Sequence, residues 1–241
     1  MFRIALLFSF FSTAYLSTLA QVQQSVWAAS FNTFGLGGKW SLHFDAQARS
    51  TDNVKEVQTL LLRPGINYHL NKSWVATAGY AYIPNRRTIG NKSELLPEHR
   101  AWQQLVYNHK WSRVASAHRL RFEQRFLPIV NYSFSDIWKD GHNPAYRLRF
   151  FTHHVLPLKK EDAFTEGVFF ALQDEVFMNT GNKNNVNGRT FDQNRLYVAL
   201  GYRLPNTKID LEGGYMNQYI QGRDQRITNN HIAQIAVYKR L

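Results

Sequence analysis

Apolar and polar residues alternate with a period of two along most of this 241-residue chain. Trp40, Leu42, Phe44, Ala46 and Ala48 interleave with Ser41, His43, Asp45, Gln47 and Arg49. The same pattern runs through 60–68, 74–82, 120–126, 146–150 and 196–202. Successive side chains of a strand point to opposite faces, so each segment reads as a strand with one apolar and one polar face. Strands are expected near 24–34, 39–50, 56–70, 74–83, 98–109, 115–128, 144–157, 164–178, 191–204, 208–220 and 229–240. Single-chain bacterial barrels have even strand numbers, so ten or twelve are expected, with the segment around 25–34 extra or partial. Pro64 inside one run points to a bulge, because proline removes a ladder donor.

The apolar residues are spread rather than pooled. They make up 44% of the chain, yet mean hydropathy is −0.41. Past the first twenty residues the longest apolar runs, at 168–172 and 196–200, are far below the ~20 residues that a spanning helix needs. A strand crosses with ~9–11 residues and one apolar face. Short connections at 70–73, 110–114, 158–162 and 204–207 alternate with long ones at 83–97, 127–143, 180–190 and 221–229. The expected fold is all-β: an antiparallel up-and-down transmembrane β-barrel, porin-like, with short periplasmic turns and longer extracellular loops. A soluble periplasmic lipocalin-like carrier would share the alternation with its apolar face turned inward.

Residues 1–20 carry Arg3, an apolar run from Ile4 to Phe11 and small residues ending at Ala20. That is the pattern of a secretory signal, cleaved near Ala20 to leave a barrel over 21–241. An exported barrel is expected in a Gram-negative outer membrane, with lipid and lipopolysaccharide as its surroundings. With no cysteine, disulfide stapling and thiolate metal centres are excluded.

The formal charge is +12. No recognition helix or RNA-binding motif accompanies it, so nucleic acid is not an expected partner and a small anionic solute is. Lysines fall near turns, whereas arginines fill strand interiors together with acids. Arg63, Glu98, Arg100, Gln104, Arg119, Arg121, Glu123, Arg125, Arg147, Arg149, Glu175, Arg195 and Glu212 are therefore expected to form a charge network inside the barrel. The planar arginine fork suits such a confined polar interior. The network reads either as a plug, since small barrels are filled by side chains, or as an anion passage. Trp40, Trp74, Tyr80, Tyr82, Tyr107, Trp111, Tyr202 and Tyr238 are expected in interfacial girdles.

A lipid hydrolase or acyltransferase is the alternative, with His99, His118, His153 and His154 as candidates. No Gly-x-Ser-x-Gly or His-Glu-x-x-His motif supports it, and the chain is read as non-enzymatic. His153 and His154 point to opposite faces of a strand and cannot chelate together. No cofactor or metal is expected.

Four motifs carry a family resemblance: Glu98-His99-Arg100-Ala101-Trp102-Gln103-Gln104, Arg119-Leu120-Arg121-Phe122-Glu123-Gln124-Arg125-Phe126, Phe191-Asp192-Gln193-Asn194-Arg195 and Gly214-Tyr215-Met216-Asn217-Gln218. With them the chain resembles the bacterial domain of unknown function 2490, common in Bacteroidetes and grouped with outer-membrane barrels. The resemblance implies a barrel over essentially the whole chain after residue 20 and brings no activity with it. The chain ends Tyr238-Lys239-Arg240-Leu241, whereas outer-membrane strands usually end in an aromatic.

Overall fold

A computed structural model describes residues 21–133, 136–160 and 163–240. The expected export signal, 1–20, lies outside the described residues. Eleven strands follow in chain order: β1 (Gln21–Gly37), β2 (Trp40–Ser50), β3 (Val57–His69), β4 (Trp74–Ile89), β5 (Lys92–Trp111), β6 (Val114–Tyr132), β7 (Ile137–Pro157), β8 (Gly167–Thr180), β9 (Phe191–Arg203), β10 (Ile209–Gln221) and β11 (Ile227–Lys239). Each pairs with its sequence neighbours, and β1 pairs with β11 to close a barrel.

The count of eleven corrects the expected ten or twelve. Residues around 25–34 belong to a full strand, and they pair with β11 in parallel from Gln21↔Thr228 to Asn32↔Lys239. In an up-and-down barrel with an odd number of strands, the first and last run the same way. Closure by a parallel ladder is then the only closure available, and the even-number expectation rested on closure by an antiparallel one.

Two of the expected long loops are mostly strand. β4 and β5 continue as a paired hairpin up to Ile89↔Lys92, and β6 and β7 up to Tyr132↔Ile137. Hydropathy does not reveal these extensions because none alternates: those of β4, β5 and β7 have no mainly apolar face, and that of β6, 127–132, is largely apolar on both. They rise from the same rim as the 181–190 and 222–226 connections, here called the loop rim. The turns at 38–39, 70–73, 112–113 and 204–208 lie on the opposite, turn rim, with the longer 158–166 connection. Pro64 makes no bulge: Phe44↔Pro64 keeps register on one side, and on the other the β3–β4 ladder loses pairs around it without shifting.

The faces are inverted relative to a lipocalin-like carrier. Leu60, Leu62, Leu120, Phe150, Leu172, Leu196, Leu200 and Ile235 point outward and are exposed. Ser41, Asp45, Arg63, Glu98, Arg121, Glu123 and Gln234 point inward and are buried. Trp40, Trp74, Trp111 and Tyr202 stand exposed towards the turn rim, and Tyr82, Tyr146 and Tyr219 towards the loop rim. Tyr238 is not a girdle residue. It faces inward, stacked on Phe31 at 4.8 Å between ring centroids.

Two apolar patches line the inner wall: Trp27, Phe169, Tyr197, Met216 and Ile232 on one side, and Leu61, Ala81, Ile83 and Trp102 on the other. The Trp102 ring lies against Gly65 and Gly79. A Cβ at Gly79 would come within 2.5 Å of the indole and 2.4 Å of the Pro64 carbonyl, so glycine is required there.

Candidate functional site

The inward face of β5 to β8 carries a continuous ion-pair ladder. Spacing of two residues keeps Glu98, Arg100, Trp102 and Gln104 on one face of β5, and Arg119, Arg121, Glu123 and Arg125 on one face of β6. The antiparallel register then sets Gln104 against Arg121, Trp102 against Glu123 and Arg100 against Arg125. On the other flank of β6 it sets Arg121 against Arg149 and Glu123 against Arg147.

Glu123 is the centre of the ladder and is only 1% exposed. It accepts from Arg147 at 3.0 and 2.7 Å, from Arg149 at 2.6 Å and from Arg100 at 3.4 Å. Glu98 accepts from Arg100 at 2.6 Å and from Arg125 at 2.7 and 3.2 Å. Glu175 accepts from Arg149 at 2.9 and 2.6 Å and from Arg119 at 2.6 Å. Arg147 also reaches Asp192 at 2.8 Å. Such charge-assisted, forked contacts are the stronger kind of hydrogen bond and hold each side chain in one orientation.

The remaining network residues sit apart from this ladder. Arg63 pairs with Asp45 across β2 and β3 at 2.8 and 2.5 Å. Arg121, fully buried, donates twice to Gln104 and lies over the Trp102 ring at 4.5 Å. Arg195 donates to Gln193 at 3.3 Å. Glu212 lies 3.4 Å from His153 and next to Tyr238, with no arginine contact among the described residues. Phe177 underlies Arg147, Arg149 and Arg195 at 5.0, 4.5 and 4.6 Å, a cation–π support for three cations.

Asp45, Arg49 and Asp192 are inner-wall charges that the sequence-based network omitted. Asp45 and Arg49 stood on the polar face of β2, so the alternation alone was enough to include them. Trp27 and Trp102 also stand on the inner wall, where a wholly outward apolar face does not place them.

A cavity of about 540 Å³ runs inside the barrel, within the usual range for a small-ligand site. Its lining takes in Arg86 and Arg87 towards the loop rim and Lys239 and Arg240 at the turn rim. Among the described residues that line it, eleven arginines and one lysine face four carboxylates.

The four candidate histidines divide between the faces. His153 is inside. His99 is outside, bonded to the Tyr80 hydroxyl and edge-on to His142. His154 is outside too, with Ser116 Oγ at 2.8 Å from Nδ1 and Thr152 Oγ1 at 2.8 Å from Nε2. His118 is bonded to the same threonine at 3.1 Å. The serine is thus on Nδ1, where a serine hydrolase has its orienting carboxylate, and the remaining ring nitrogen meets a threonine instead of an acid. Among the described residues no cluster of three or more His, Cys, Asp or Glu side chains is arranged to hold a metal ion.

An uncharacterised protein of Methylorubrum extorquens (strain AM1) is 25% identical over 209 residues, covering 86% of this chain and 83% of that protein. Among solved structures, the NanC porin aligns over 87% of this chain and 90% of its own, at 13% identity and a TM-score of 0.49, too slight a likeness to bear on function. The family described as a protein of unknown function, DUF2490, matches residues 24–229 and so takes in the ladder and, Ile232 apart, both apolar patches, ending at the start of β11. The chain belongs to the DUF2490 family.

Proposed function

We propose that this chain is an exported outer-membrane barrel, without enzymatic activity, that passes small anionic solutes through its interior. The observation that carries the reading is the axial cavity, lined by cations well in excess of acids and reaching towards both rims. Field lines from fixed charges in a low-dielectric wall concentrate counter-ions, here anions. The exposed apolar outer wall, with aromatics at both margins, supports placement in lipid, because a water-soluble protein rarely exposes so wide an apolar surface.

Two measurements test it. After cell fractionation the protein is expected in the membrane pellet and released only by detergent; recovery in the soluble fraction contradicts the membrane placement. Refolded protein added to a planar bilayer is expected to give discrete conductance steps. A bilayer that stays silent favours a closed, charge-plugged barrel over a passage.

A further inference from the structure

Apart from Arg87 near the loop rim, three inward arginines have no carboxylate contact among the described residues: Arg49, Arg121 and Arg195. Arg121 is walled in by Gln104 and Trp102. Arg49 and Arg195 both line the cavity. Arg49 stands opposite Trp27 in the β1–β2 ladder, and its guanidinium carbon lies 4.0 Å from the Trp27 ring centroid. The Arg195 carbon lies 5.0 Å from the same centroid. Arg195 is also the charge that acts most strongly on Arg49, so the two forks are neighbours at one indole.

Arg49 lacks compensating charge, whereas Arg195 stands opposite Glu175 in the β8–β9 ladder without a direct contact to it among the described residues. The charged groups acting most strongly on Arg49 are Arg195, Arg63, Arg149 and Arg100, all of them cations. Among the described residues its one side-chain bond is to Gln47, at 2.6 Å. Arg195 is more than nine-tenths buried, and its bond to Gln193 is long. That glutamine oxygen is also taken by Gln218 at 2.5 Å. The Nε atoms of both Arg49 and Arg195 are buried with no acceptor among the described residues. A buried cation without a counter-charge is costly, and a guanidinium N–H is directional, so the partner that meets both needs is an anion with oxygen acceptors.

From this we infer that Arg49 and Arg195, seated on Trp27, form a binding site for a small oxoanion, either a carboxylate or a phosphate group. The inference deepens the anion-passing reading and rests on it, since the anion must enter the cavity. The oxoanion bridges the two forks above the indole. A spherical halide satisfies the charge but not the fork geometry, so selectivity for oxoanions over chloride follows.

The test uses the refolded full barrel in detergent, titrated separately with inorganic phosphate, acetate and chloride while tryptophan emission is followed. A saturable response to phosphate or acetate, much weaker for chloride, is expected. Phosphate tightest means a tetrahedral ligand group, and acetate tightest a carboxylate. Trp27→Phe should abolish the optical response, and Arg49→Gln and Arg195→Gln should each weaken binding by about tenfold or more, the loss of one charge-assisted contact. Heat-modifiable gel migration reports folding. If a glutamine variant fails to fold, Arg49→Lys, which keeps the charge and loses the fork, should show the same weakening. No saturable response, or one unchanged in the arginine variants, overturns the site. A barrel that conducts anions without this binding loses the site and keeps the passage. Binding in a barrel silent in bilayers keeps the site and removes the passage.

Discussion

Glu123 holds three arginines, and its removal is the most informative single change in the ladder. Glu123→Gln leaves Arg147 and Arg149 buried with less compensation. Breaking a buried pair from one side costs about 3–5 kcal/mol, so a marked drop in melting temperature in detergent is expected. Arg63→Met removes one side of a simpler pair and leaves the buried Asp45 facing only His43, at 3.2 Å, among the described residues; it too should destabilise, without disturbing the β5–β8 ladder. A melting temperature unchanged by Glu123→Gln would mean that the ladder is solvated rather than dry. At Gly79 the constraint is steric. Gly79→Ala drives a methyl into Trp102 and the Pro64 carbonyl, and overpacking of this kind costs about 1–3 kcal/mol. A red shift of tryptophan emission should accompany the loss as Trp102 is pushed from its seat.

Among the elements, β1 sets the architecture. Its parallel ladder to β11 makes eleven strands closable, and it brings Trp27 to the cavity wall. Ala28 and Ile235 are register partners on the outer face, in a chain with no native cysteine. The double variant Ala28→Cys, Ile235→Cys should therefore form an intramolecular disulfide under mild oxidation. The pair Ala28→Cys, His231→Cys, four residues out of register on the same face, should not. The reverse result would refute the parallel seam. Most strands were legible in the sequence because one face is apolar along its length, as in β2, β3 and β9. The upper parts of β4, β5 and β7 were not legible because Arg86, Arg87, Glu94 and Lys139 leave no face predominantly apolar, and that of β6 because residues 127–132 are largely apolar on both faces. The strand number was missed for another reason: alternation shows that β1 is a strand but not which way its outer edge pairs. Of the candidate site, the ladder was legible from charges spaced by two on consecutive strands. The Arg49–Trp27–Arg195 arrangement was not, because it joins β1, β2 and β9 across the barrel, and no hairpin register reaches that far.

Across the whole molecule, the distribution of polarity is the inverse of a water-soluble barrel's, as the proposed lipid placement requires. Apolar side chains cover the outer wall, and the inner wall mixes ion pairs, amides and two aromatic-backed patches. The cationic excess lies around the cavity, where it acts on whatever enters. The most direct measurement is the reversal potential of the refolded barrel in a planar bilayer under a tenfold potassium chloride gradient. A value displaced by tens of millivolts towards the chloride limit of about 59 mV is expected, and the displacement should shrink in the Arg49→Gln, Arg195→Gln double variant. A reversal potential at zero, or on the potassium side, would contradict an interior that selects anions.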